Sequence, residues 1–494
     1  MRTLTKEMEY MYDVIIIGGG ITGSSIAYEF SKYNLKVAMV EASNDVGAST
    51  TKANSGIVHA GYDPKPGTLM AKLNVEGSKM YKELAPKFNV HYSNIGSLVI
   101  GKKSDEDKIL ELYNRGLENG VSDMSILRGE EIFKLEPNLN KDITIALLAK
   151  SAAVVSPWEM CLAFSENAVR NGVELFLSFK VTNVTKVNDY FTVESKDKVL
   201  KTKFVINCAG VYADEIYNMV LKDQKGFKIV PVKGDYYLLD KEEGKLVNHI
   251  IFQTPSSLGK GVLVSKTCHG NLIVGPNAKE IMDKEDVGVD QESLDYIKKM
   301  AKNTLENINY RNNIRNFAGL RAKILDYDDF LIGDSLVSGF INFAGIKSPG
   351  LSAAPAFGPY AKRILMFLGL PFELNNKFKI TPLPKFFKDM TKEEIDSKIK
   401  ENELYGRIIC RCETVSEGEI VDSLKRPIPA LSIDAIKRRC NAGMGRCQGG
   451  FCGPKILEIM TRELNLEPKD ILQDKEGTNI VLDYTKGGIH HEGI

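Results

Sequence analysis

The stretch Asp13-Val-Ile-Ile-Ile-Gly18-Gly-Gly20-Ile-Thr-Gly23 decides the fold of the N-terminal region, because an apolar run passes directly into the pattern G-x-G-x-x-G. The run predicts a β-strand, residues 24–33 predict a helix, and residues 35–40 predict a second strand that ends at Glu41. A strand, a glycine-rich turn, a helix and a second strand closed by an acidic residue are the parts of a dinucleotide-binding fold. Their order predicts this fold rather than a glycine-rich turn without a ligand.

The three glycines of the G-x-G-x-x-G pattern have different predicted roles. Gly18 permits the tight turn, Gly20 lets a pyrophosphate approach the backbone, and Gly23 lets the helix pack closely on the strand. The N-terminus of the helix is expected to face the phosphates, since its N–H groups and dipole favour negative charge. Glu41 is then expected to bind the ribose hydroxyls.

Length and composition limit the class of protein. A chain of 494 residues predicts two or three domains. The 65 basic and 64 acidic side chains balance, so we expect neither nucleic acid as a partner nor strong attraction to an anionic membrane. No apolar run is long enough for a transmembrane helix. The charged N-terminus does not resemble a secretory signal, so we expect a cytoplasmic location and membrane association only through a partner.

Five of the eight cysteines lie close together: Cys410, Cys412, Cys440, Cys447 and Cys452. Clustered cysteines in a reducing compartment are more often metal ligands than disulfides. Zinc modules usually pair two C-x₂₋₄-C knuckles, whereas here a C-x-C pair and a C-x₄-C pair flank a long spacer. This spacing favours a [2Fe–2S] cluster over zinc, with Cys440 as a bystander thiol.

A loop of small and hydroxyl residues follows Glu41, from Gly47 to Gly61. Such a loop can hydrogen-bond a pyrophosphate and lie flat against a planar ring, and its place after the glycine turn favours this over a plain surface loop. His59 ends the loop in an apolar setting. A lone histidine is more often structural than catalytic, and only its place beside the expected ring makes it a candidate.

Two basic residues of the later chain are candidates for an anionic ligand. Arg321 follows a small turn in an apolar context, and its planar fork suits carboxylate or phosphate oxygens. The alternative is an ion pair with one of the nearby aspartates, Asp326, Asp328 or Asp329. Lys347 lies between a predicted strand and a predicted helix, where it could hydrogen-bond a ring or substrate; the alternative is an exposed lysine. Lys233, Tyr236 and Tyr237 receive low weight, because half of a strand's side chains face elsewhere.

With these motifs in place, residues 12–370 resemble the FAD-dependent D-amino-acid-oxidase/glycerol-3-phosphate-dehydrogenase superfamily. The resemblance rests on the N-terminal fingerprint and on four later motifs, Ser-Thr-Thr-Lys-Ala-Asn-Ser-Gly-Ile-Val-His59, Asn207-Cys-Ala-Gly210, Ala318-Gly-Leu-Arg321 and Gly345-Ile-Lys-Ser-Pro-Gly350. Residues 406–460 resemble the bacterioferritin-associated-ferredoxin-like [2Fe–2S] domain. The combination resembles anaerobic-type bacterial glycerol-3-phosphate dehydrogenases.

The resemblance implies roles for particular positions. It implies that His59, Arg321 and Lys347 serve the reaction, with Arg321 holding an anionic group of the substrate. The residues that it implies for FAD are Gly18, Gly20, Gly23, Glu41, Ser49, Thr50, Asn54, Ala209, Gly210, Gly345, Gly350 and Leu351. It implies that the cluster ligands are Cys410, Cys412, Cys447 and Cys452.

The expected architecture combines α/β and α+β parts. A Rossmann-like FAD-binding domain is interrupted by a β-rich substrate domain, and a small helical [2Fe–2S] domain follows. The predicted FAD-binding segments are 10–90, 150–225 and 315–370. The other predicted segments are 91–149 and 226–314 for the substrate domain, 371–405 for a linker, 406–476 for the cluster domain and 477–494 for a tail.

The expected function is oxidation of a small anionic secondary alcohol, with sn-glycerol 3-phosphate as the first candidate. A hydride passes to flavin N5, a base takes the hydroxyl proton, and electrons leave through the cluster to a partner subunit or carrier. Residues 52–77 also resemble L-2-hydroxyglutarate dehydrogenases, so another 2-hydroxy or amino acid is the alternative. A second alternative is a flavin oxidase whose C-terminal module binds zinc or docks a partner. A non-catalytic FAD-binding assembly protein is a further possibility.

Overall fold

A computed structural model describes residues 11–221, 225–255 and 261–483. The strands are β1 (Met11–Ile17), β2 (Val37–Val40), β3 (Ile57–Val58), β4 (Tyr92–Ser93), β5 (Ser97–Gly101), β6 (Met124–Arg128), β7 (Ile145–Ala149), β8 (Ala153–Val155), β9 (Glu174–Phe176), β10 (Asn183–Val187), β11 (Tyr190–Glu194), β12 (Val199–Asn207), β13 (Ile229–Leu239), β14 (Ile250–Gln253), β15 (Leu263–Lys266), β16 (Leu272–Gly275), β17 (Lys279–Glu280), β18 (Asn313–Ile324), β19 (Leu331–Asp334), β20 (Phe340–Ala344), β21 (Ile408–Cys410) and β22 (Val415–Ser416).

The α-helices are α1 (Ile21–Phe30), α2 (Leu69–Phe88), α3 (Glu106–Glu118), α4 (Glu130–Leu135), α5 (Pro157–Arg170), α6 (Ala213–Leu221), α7 (Gln291–Ala301), α8 (Gly350–Phe367), α9 (Lys392–Glu401), α10 (Glu417–Leu424), α11 (Ile433–Cys440) and α12 (Gly453–Leu464). The described residues form two compact units. The first holds residues 11–42 and 46–383, and the second holds Ser43–Asp45 with residues 384–483.

The first sheet contains the predicted dinucleotide-binding strands. Its order is β10–β11–β12–β1–β2–β9, and β20 joins at β12 and carries β19. Strand β1 pairs in parallel with β2 and β12, and β12 pairs in parallel with β20. Because parallel strands end at the same edge, the turns after these four strands meet there, where open α/β sheets bind their ligands.

Helix α1 packs in the middle of the first unit. All of its residues are buried, and it contacts α5 and α8. A glycine permits one of these close approaches, because a Cβ on Gly358 of α8 would lie 2.5 Å from Cβ of Glu29. The face that carries Ile26, Ala27 and Phe30 is buried, and the opposite face is covered as well.

The second sheet is the β-rich insertion that the sequence predicts. Its order is β17–β13–β16–β15–β14–β5–β7–β6, with β18 paired along β13. Strand β18 belongs to this sheet up to Ile324, although part of it falls in the segment 315–370 expected to bind FAD. The expected hairpin around residues 268–271 is present, since β15 and β16 pair antiparallel on either side of it. The domain boundaries themselves remain a prediction.

Two helices differ from the sequence expectation. The spacing of apolar residues predicts a helix over 288–310, but α7 ends at Ala301. Asp290 caps its start by accepting from Ser293 N at 2.8 Å, and the chain turns after Ala301 while Leu305 still enters the core. The charged segment assigned to a linker contains α9, which Thr391 and Glu394 start with a capping box.

The second unit is small and helical. A β21–β22 hairpin packs with α10, α11 and α12 around a core that includes Ile420, Ile436 and Ile456. Asp45, which belongs to this unit, is fully buried and pairs with Arg438 and Arg439 at 2.7 and 2.8 Å. Burial alone would raise the pKa of Asp45, but the two guanidinium groups lower it to about 2. The two large sheets with their helices, followed by this small helical unit, confirm the predicted α/β and α+β architecture.

Within the described residues, no helix combines the length and apolar character needed to span a membrane. The predicted tail at 477–494 lies outside the described residues from position 484 onward.

Candidate active site and cluster site

The glycine turn after β1 has the form that a dinucleotide needs. Two of its glycines pack against backbone carbonyl oxygens of the protein, and the third does not. Gly18 has φ +110°, and a Cβ there would lie 2.4 Å from the carbonyl oxygen of Cys208. A Cβ on Gly23 would lie 2.0 Å from the carbonyl oxygen of Gly18. At Gly20, by contrast, the nearest atom to a Cβ is Thr51 Oγ1 at 3.4 Å. Gly18 and Gly23 therefore serve the fold, whereas Gly20 leaves a surface open to a ligand.

The start of α1 is suited to an anion. Its N-cap, Gly20, makes no side-chain cap, and the first turn contains no acidic residue. Thr51 Oγ1 accepts from Ile21 N at 2.9 Å, and Glu41 Oε2 accepts from Gly19 N at 2.6 Å. The helix dipole and the remaining N–H groups favour a phosphate at this end. Thr51 was not predicted, because one hydroxyl in a run of hydroxyl residues cannot be distinguished before the loop is folded.

The hydroxyl-rich loop is held by its own side chains. Thr50 Oγ1 donates to the carbonyl oxygen of Leu320 at 2.9 Å. Asn54 Nδ2 donates to the carbonyl oxygen of Thr51 at 2.8 Å, and its Oδ1 accepts from Gly56 N at 2.9 Å. Ser49 is exposed at the start of this turn. The contacts of Thr50 and Asn54 thus shape the loop, and their contact with a cofactor stays a prediction.

The remaining predicted cofactor residues lie along the same edge or at the start of α8. Ala209 and Gly210 follow β12, and Gly345 follows β20. Gly350 begins α8, and the carbonyl oxygen of Leu351 accepts from the Tyr81 hydroxyl at 2.7 Å. The turns after β1, β12 and β20 are therefore brought together as the fingerprint requires.

His59 lies directly after β3 and is held by the start of α8. Its backbone N donates to Ser352 Oγ at 2.8 Å, and its Nε2 lies 3.4 Å from Ser348 Oγ. Its ring stacks on Phe252 of the second sheet with ring centres 5.5 Å apart. A small recess beside it is also lined by Tyr62, Asp63 and Pro349. The imidazole therefore has a defined orientation at a cavity, which a proton-transfer group needs.

Arg321 lies on β18 opposite Val232 of β13. Both terminal nitrogens of its guanidinium donate to the carbonyl oxygen of Asn277 at 3.3 Å. A Cβ on Gly234 would lie 2.7 Å from Arg321 Nη2, so this glycine makes room for the side chain.

The ion pair considered as the alternative for Arg321 is absent among the described residues. Asp329 instead accepts from the backbone N of Leu69 and of Met70, and Asp328 pairs with Lys347. Within the described residues, the guanidinium of Arg321 thus has no carboxylate partner, and its role toward a substrate stays a prediction.

Tyr236 is a site residue that the sequence left undecided. It is buried on β13, stacks on Phe317 at 4.8 Å, and shares hydrogen bonds with Arg321 and Ser55. Burial raises the pKa of Tyr236, while the Arg321 guanidinium opposes the rise. The phenol is therefore a neutral hydrogen-bond group beside the arginine. Alternation along a strand cannot show which face meets the site, so no signal in the sequence singled it out.

Lys347 is placed differently from His59 and Arg321. Its ammonium group pairs with the exposed carboxylate of Asp328, and about a fifth of its side chain is exposed. Its predicted role toward the ring or substrate stays a prediction.

The four predicted cluster ligands converge in the second unit. Cys410 ends β21, Cys412 follows it, and Cys452 is the N-cap of α12. The sulfur atoms of Cys412 and Cys447 lie 3.7 Å apart, and the thiols of Cys410 and Cys452 share a hydrogen bond. None of the cysteines forms a disulfide.

Backbone N–H groups surround these sulfurs. The Cys452 thiol and the N–H groups of Gly443 and Glu413 lower the pKa of Cys410 to about 6. A Cβ on Gly445 would lie 2.3 Å from Cβ of Cys412, so only glycine fits there. Four thiols with N–H donors around them are the environment of a [2Fe–2S] cluster.

Cys440 has a different environment from these four. It is buried in α11 and its thiol donates to the carbonyl oxygen of Ile436 at 3.3 Å. Burial raises the pKa of Cys440 to about 12, so the thiol stays protonated. This agrees with its prediction as a bystander.

Comparison with known proteins identifies both parts of the chain. Residues 13–363 match the family model "FAD dependent oxidoreductase", and residues 408–462 match the model "BFD-like [2Fe-2S] binding domain". The chain is similar to a glycerol 3-phosphate dehydrogenase of Caloramator mitchellensis, with 46% identity over 97% of this chain and 100% of that protein. It is also similar to an L-2-hydroxyglutarate dehydrogenase of Indibacter alkaliphilus, with 30% identity over 54% of this chain and 68% of that protein.

A solved structure with this fold is an L-alpha-glycerophosphate oxidase of Mycoplasma pneumoniae, described as dithionite-reduced with FAD bound. It covers 76% of this chain and 100% of its own length, with a TM-score of 0.72 and 30% identity. Together with the two glycine turns and the four thiols, these matches confirm FAD and a [2Fe–2S] cluster as the cofactors. The chain therefore belongs to the FAD-dependent oxidoreductase family, with a BFD-like [2Fe–2S] binding domain at its C-terminal end.

Proposed function

We propose that this protein is a dehydrogenase that oxidises sn-glycerol 3-phosphate to dihydroxyacetone phosphate and passes the electrons to a partner protein or carrier. The full-length similarity to a protein named glycerol 3-phosphate dehydrogenase supports this substrate. The similarity to L-alpha-glycerophosphate oxidase over the first three quarters of the chain supports it too.

The observation that carries the proposal is the setting of Arg321. Its guanidinium is half-buried between β13 and β18, and its described contacts are a carbonyl oxygen and the Tyr236 hydroxyl. A cation without a carboxylate partner in such a place is available to an anion, and its planar fork can bind two oxygens at once. We assign the substrate phosphate to Arg321, with Tyr236 and Ser55 as its neighbours.

His59 is proposed as the base that takes the hydroxyl proton of the substrate. Its Nε2 is close to Ser348 Oγ, and its ring is fixed against Phe252. An imidazole held in one orientation beside the site suits proton transfer. The carbinol carbon loses a hydride and its hydroxyl loses a proton, which leaves the ketone.

The residues proposed to hold FAD are the Gly18–Gly23 turn, the N-terminus of α1 and Glu41. When bound, FAD supplies the hydride acceptor and the cluster supplies a one-electron carrier. In the second unit, Cys412 is exposed and Cys447 is half-buried, while Cys410 and Cys452 are buried. Phe451 beside them is 83% exposed. We propose this exposed side as the place where the electron acceptor binds.

Anaerobic bleaching of the flavin tests the substrate. The holoenzyme is mixed with glycerol 3-phosphate, L-2-hydroxyglutarate or another 2-hydroxy acid, and the flavin absorbance is followed. Rapid bleaching by glycerol 3-phosphate alone is expected. Faster bleaching by L-2-hydroxyglutarate would replace the proposed substrate with the carboxylate alternative, and bleaching by none of them would contradict a dehydrogenase of this class.

Replacing Arg321 tests the site. Arg321→Ala is expected to raise KM at least about tenfold, because hydrogen bonds to charged groups contribute about 1.5–3 kcal/mol. FAD content should not change. Arg315→Ala is the matched control, since Arg315 is an exposed arginine on the same strand. An unchanged KM in Arg321→Ala would remove this residue from the substrate site.

A further inference from the structure

A second group of possible metal ligands lies in the first unit, outside the residues assigned to FAD and substrate. It consists of His91, Glu159 and His269. His91 precedes β4 of the small β3–β8–β4 sheet, Glu159 is in the first turn of α5, and His269 is in the turn between β15 and β16. Three separate parts of the unit thus each contribute one side chain.

The ligand atoms of these residues converge. His91 Nδ1 lies 2.8 Å from Glu159 Oε2, and His269 Nε2 lies 3.4 Å from Glu159 Oε1. All three ligand atoms lie within 4.8 Å of one another. The Glu159 side chain is 2% exposed and that of His269 is 10% exposed, and Trp158 stacks on the His269 ring. The group is therefore shielded from solvent on most sides.

Hydrogen bonds within the described residues do not fully satisfy this group. Glu159 Oε2 accepts from both the backbone N and the Nδ1 of His91. Glu159 Oε1 and His269 Nε2 are buried, face each other, and make no hydrogen bond of normal length. A cation placed between this buried carboxylate oxygen and this buried imidazole nitrogen would satisfy both atoms.

We propose that His91, Glu159 and His269 bind a divalent cation of the zinc type. Two imidazole nitrogens and one carboxylate oxygen are a donor set that zinc accepts, with water as the fourth ligand. Ligands at 2.0–2.1 Å from a tetrahedral zinc are separated by about 3.3 Å. With Glu159 Oε1 as the carboxylate ligand, its 3.4 Å separation from His269 Nε2 already matches this value. The three ligand atoms lie within 4.8 Å of one another, so His91 Nδ1 would turn from Glu159 Oε2 toward the ion.

The site would join the β15–β16 hairpin of the second sheet to α5. Such a bridge is structural, because it lies outside the residues that meet the substrate. The chain also contains a control for it. His249 Nδ1 lies 2.8 Å from Glu136 Oε1, which reproduces one histidine–carboxylate contact without a second imidazole. This pair lacks the third ligand and is not expected to retain zinc.

Zinc binding to the holoenzyme tests the proposal. The protein, with FAD and cluster confirmed by absorbance and by iron and sulfide analysis, is titrated with Zn²⁺ against a chromophoric chelator. We expect one zinc per chain in the wild type and at least about a 100-fold weaker site in His269→Ala, since outer-shell changes alone cost about 10–100-fold. His249→Ala should bind zinc like the wild type. X-ray absorption at the zinc edge should show only nitrogen and oxygen ligands.

Several outcomes would overturn the site. Equal zinc affinity in the wild type and in His269→Ala would exclude His269 as a ligand. Sulfur in the zinc shell would place the metal on the cluster cysteines instead. Glu159→Gln keeps the shape of the side chain and one oxygen that can accept from His91, so retained zinc binding in that variant would contradict a carboxylate ligand. A wild type that binds no zinc would leave the three residues as a hydrogen-bonded group only.

Discussion

The two glycine-rich turns of this protein, residues 18–23 and 443–453, use glycine in different ways. In the first turn, Gly18 and Gly23 are required because backbone carbonyls of the protein occupy the space of a Cβ. In the second turn, Gly445 is required because Cβ of Cys412, a proposed ligand, lies 2.3 Å from the position of its own Cβ. The first turn thus leaves a helix N-terminus open to an anion, whereas the second brings thiols and N–H groups together. We propose that the first turn binds FAD through backbone groups and that the second binds the cluster through side chains.

The largest effect is expected from removing one proposed cluster ligand, which should stop electron delivery to the acceptor without changing flavin reduction. Cys447→Ser is expected to lower steady-state turnover with an external acceptor by at least about 100-fold, since changes in outer-shell partners alone cost about 10–100-fold. Flavin reduction by substrate in a single anaerobic turnover should keep its wild-type rate. Cys440→Ser is the control, because that thiol is buried in its own helix. Turnover that survives in Cys447→Ser would show that the cluster is not on the path of the electrons.

Changes in the first turn should affect FAD and leave the cluster intact. In Gly23→Ala the new methyl group would lie 2.0 Å from the Gly18 carbonyl oxygen, so α1 must move away from β1. We expect at least about a tenfold loss of bound FAD, in line with about 1–3 kcal/mol for forced overpacking. Gly20→Ala should keep the thermal stability of the apoprotein, because its Cβ has room in the fold. FAD content is measured from absorbance after gel filtration, and a fully loaded Gly23→Ala would contradict the role of close packing.

The corresponding change in the second turn should affect the cluster and leave FAD intact. Gly445→Ala is expected to reduce iron and sulfide per chain to about half or less, because overpacking against Cys412 costs about 1–3 kcal/mol. Gly453→Ala is its control, since no atom lies within 4 Å of a Cβ at that position. Iron, sulfide and FAD are measured on the same samples. If Gly445→Ala lost both FAD and the cluster, the claim that each turn serves only one cofactor would be wrong.

The smallest expected effect concerns a residue that belongs to neither turn. Tyr236→Phe removes the hydroxyl beside Arg321 and keeps the ring stacked on Phe317. We expect KM for glycerol 3-phosphate to rise about three- to tenfold, in line with about 0.5–1.5 kcal/mol for one hydrogen bond. Tyr237→Phe on the same strand is the control. An unchanged KM in Tyr236→Phe would show that the Tyr236 hydroxyl does not contribute to substrate binding.

Elements that follow from local patterns were predicted well, whereas Thr51 and Tyr236, whose contacts depend on the fold, were not singled out. The strand, glycine turn and helix at residues 11–30 follow from hydrophobic periodicity and glycine spacing, which are local. The length of α7 was overestimated, since Leu305 keeps a helical spacing although the chain has already turned. The resemblance assigns Asn54 to FAD, whereas its hydrogen bonds within the described residues go to the loop's own backbone.

The two cofactor modules follow from the sequence, because spacing along the chain is enough to specify a glycine turn and a group of four thiols. Which of the other polar residues share a site depends on the folded structure. Arg321 meets Tyr236 because β18 and β13 pair in one register, and His59 is fixed by residues almost 300 positions later in the chain. Such contacts depend on strand register and packing between distant segments, and neither is encoded in local spacing.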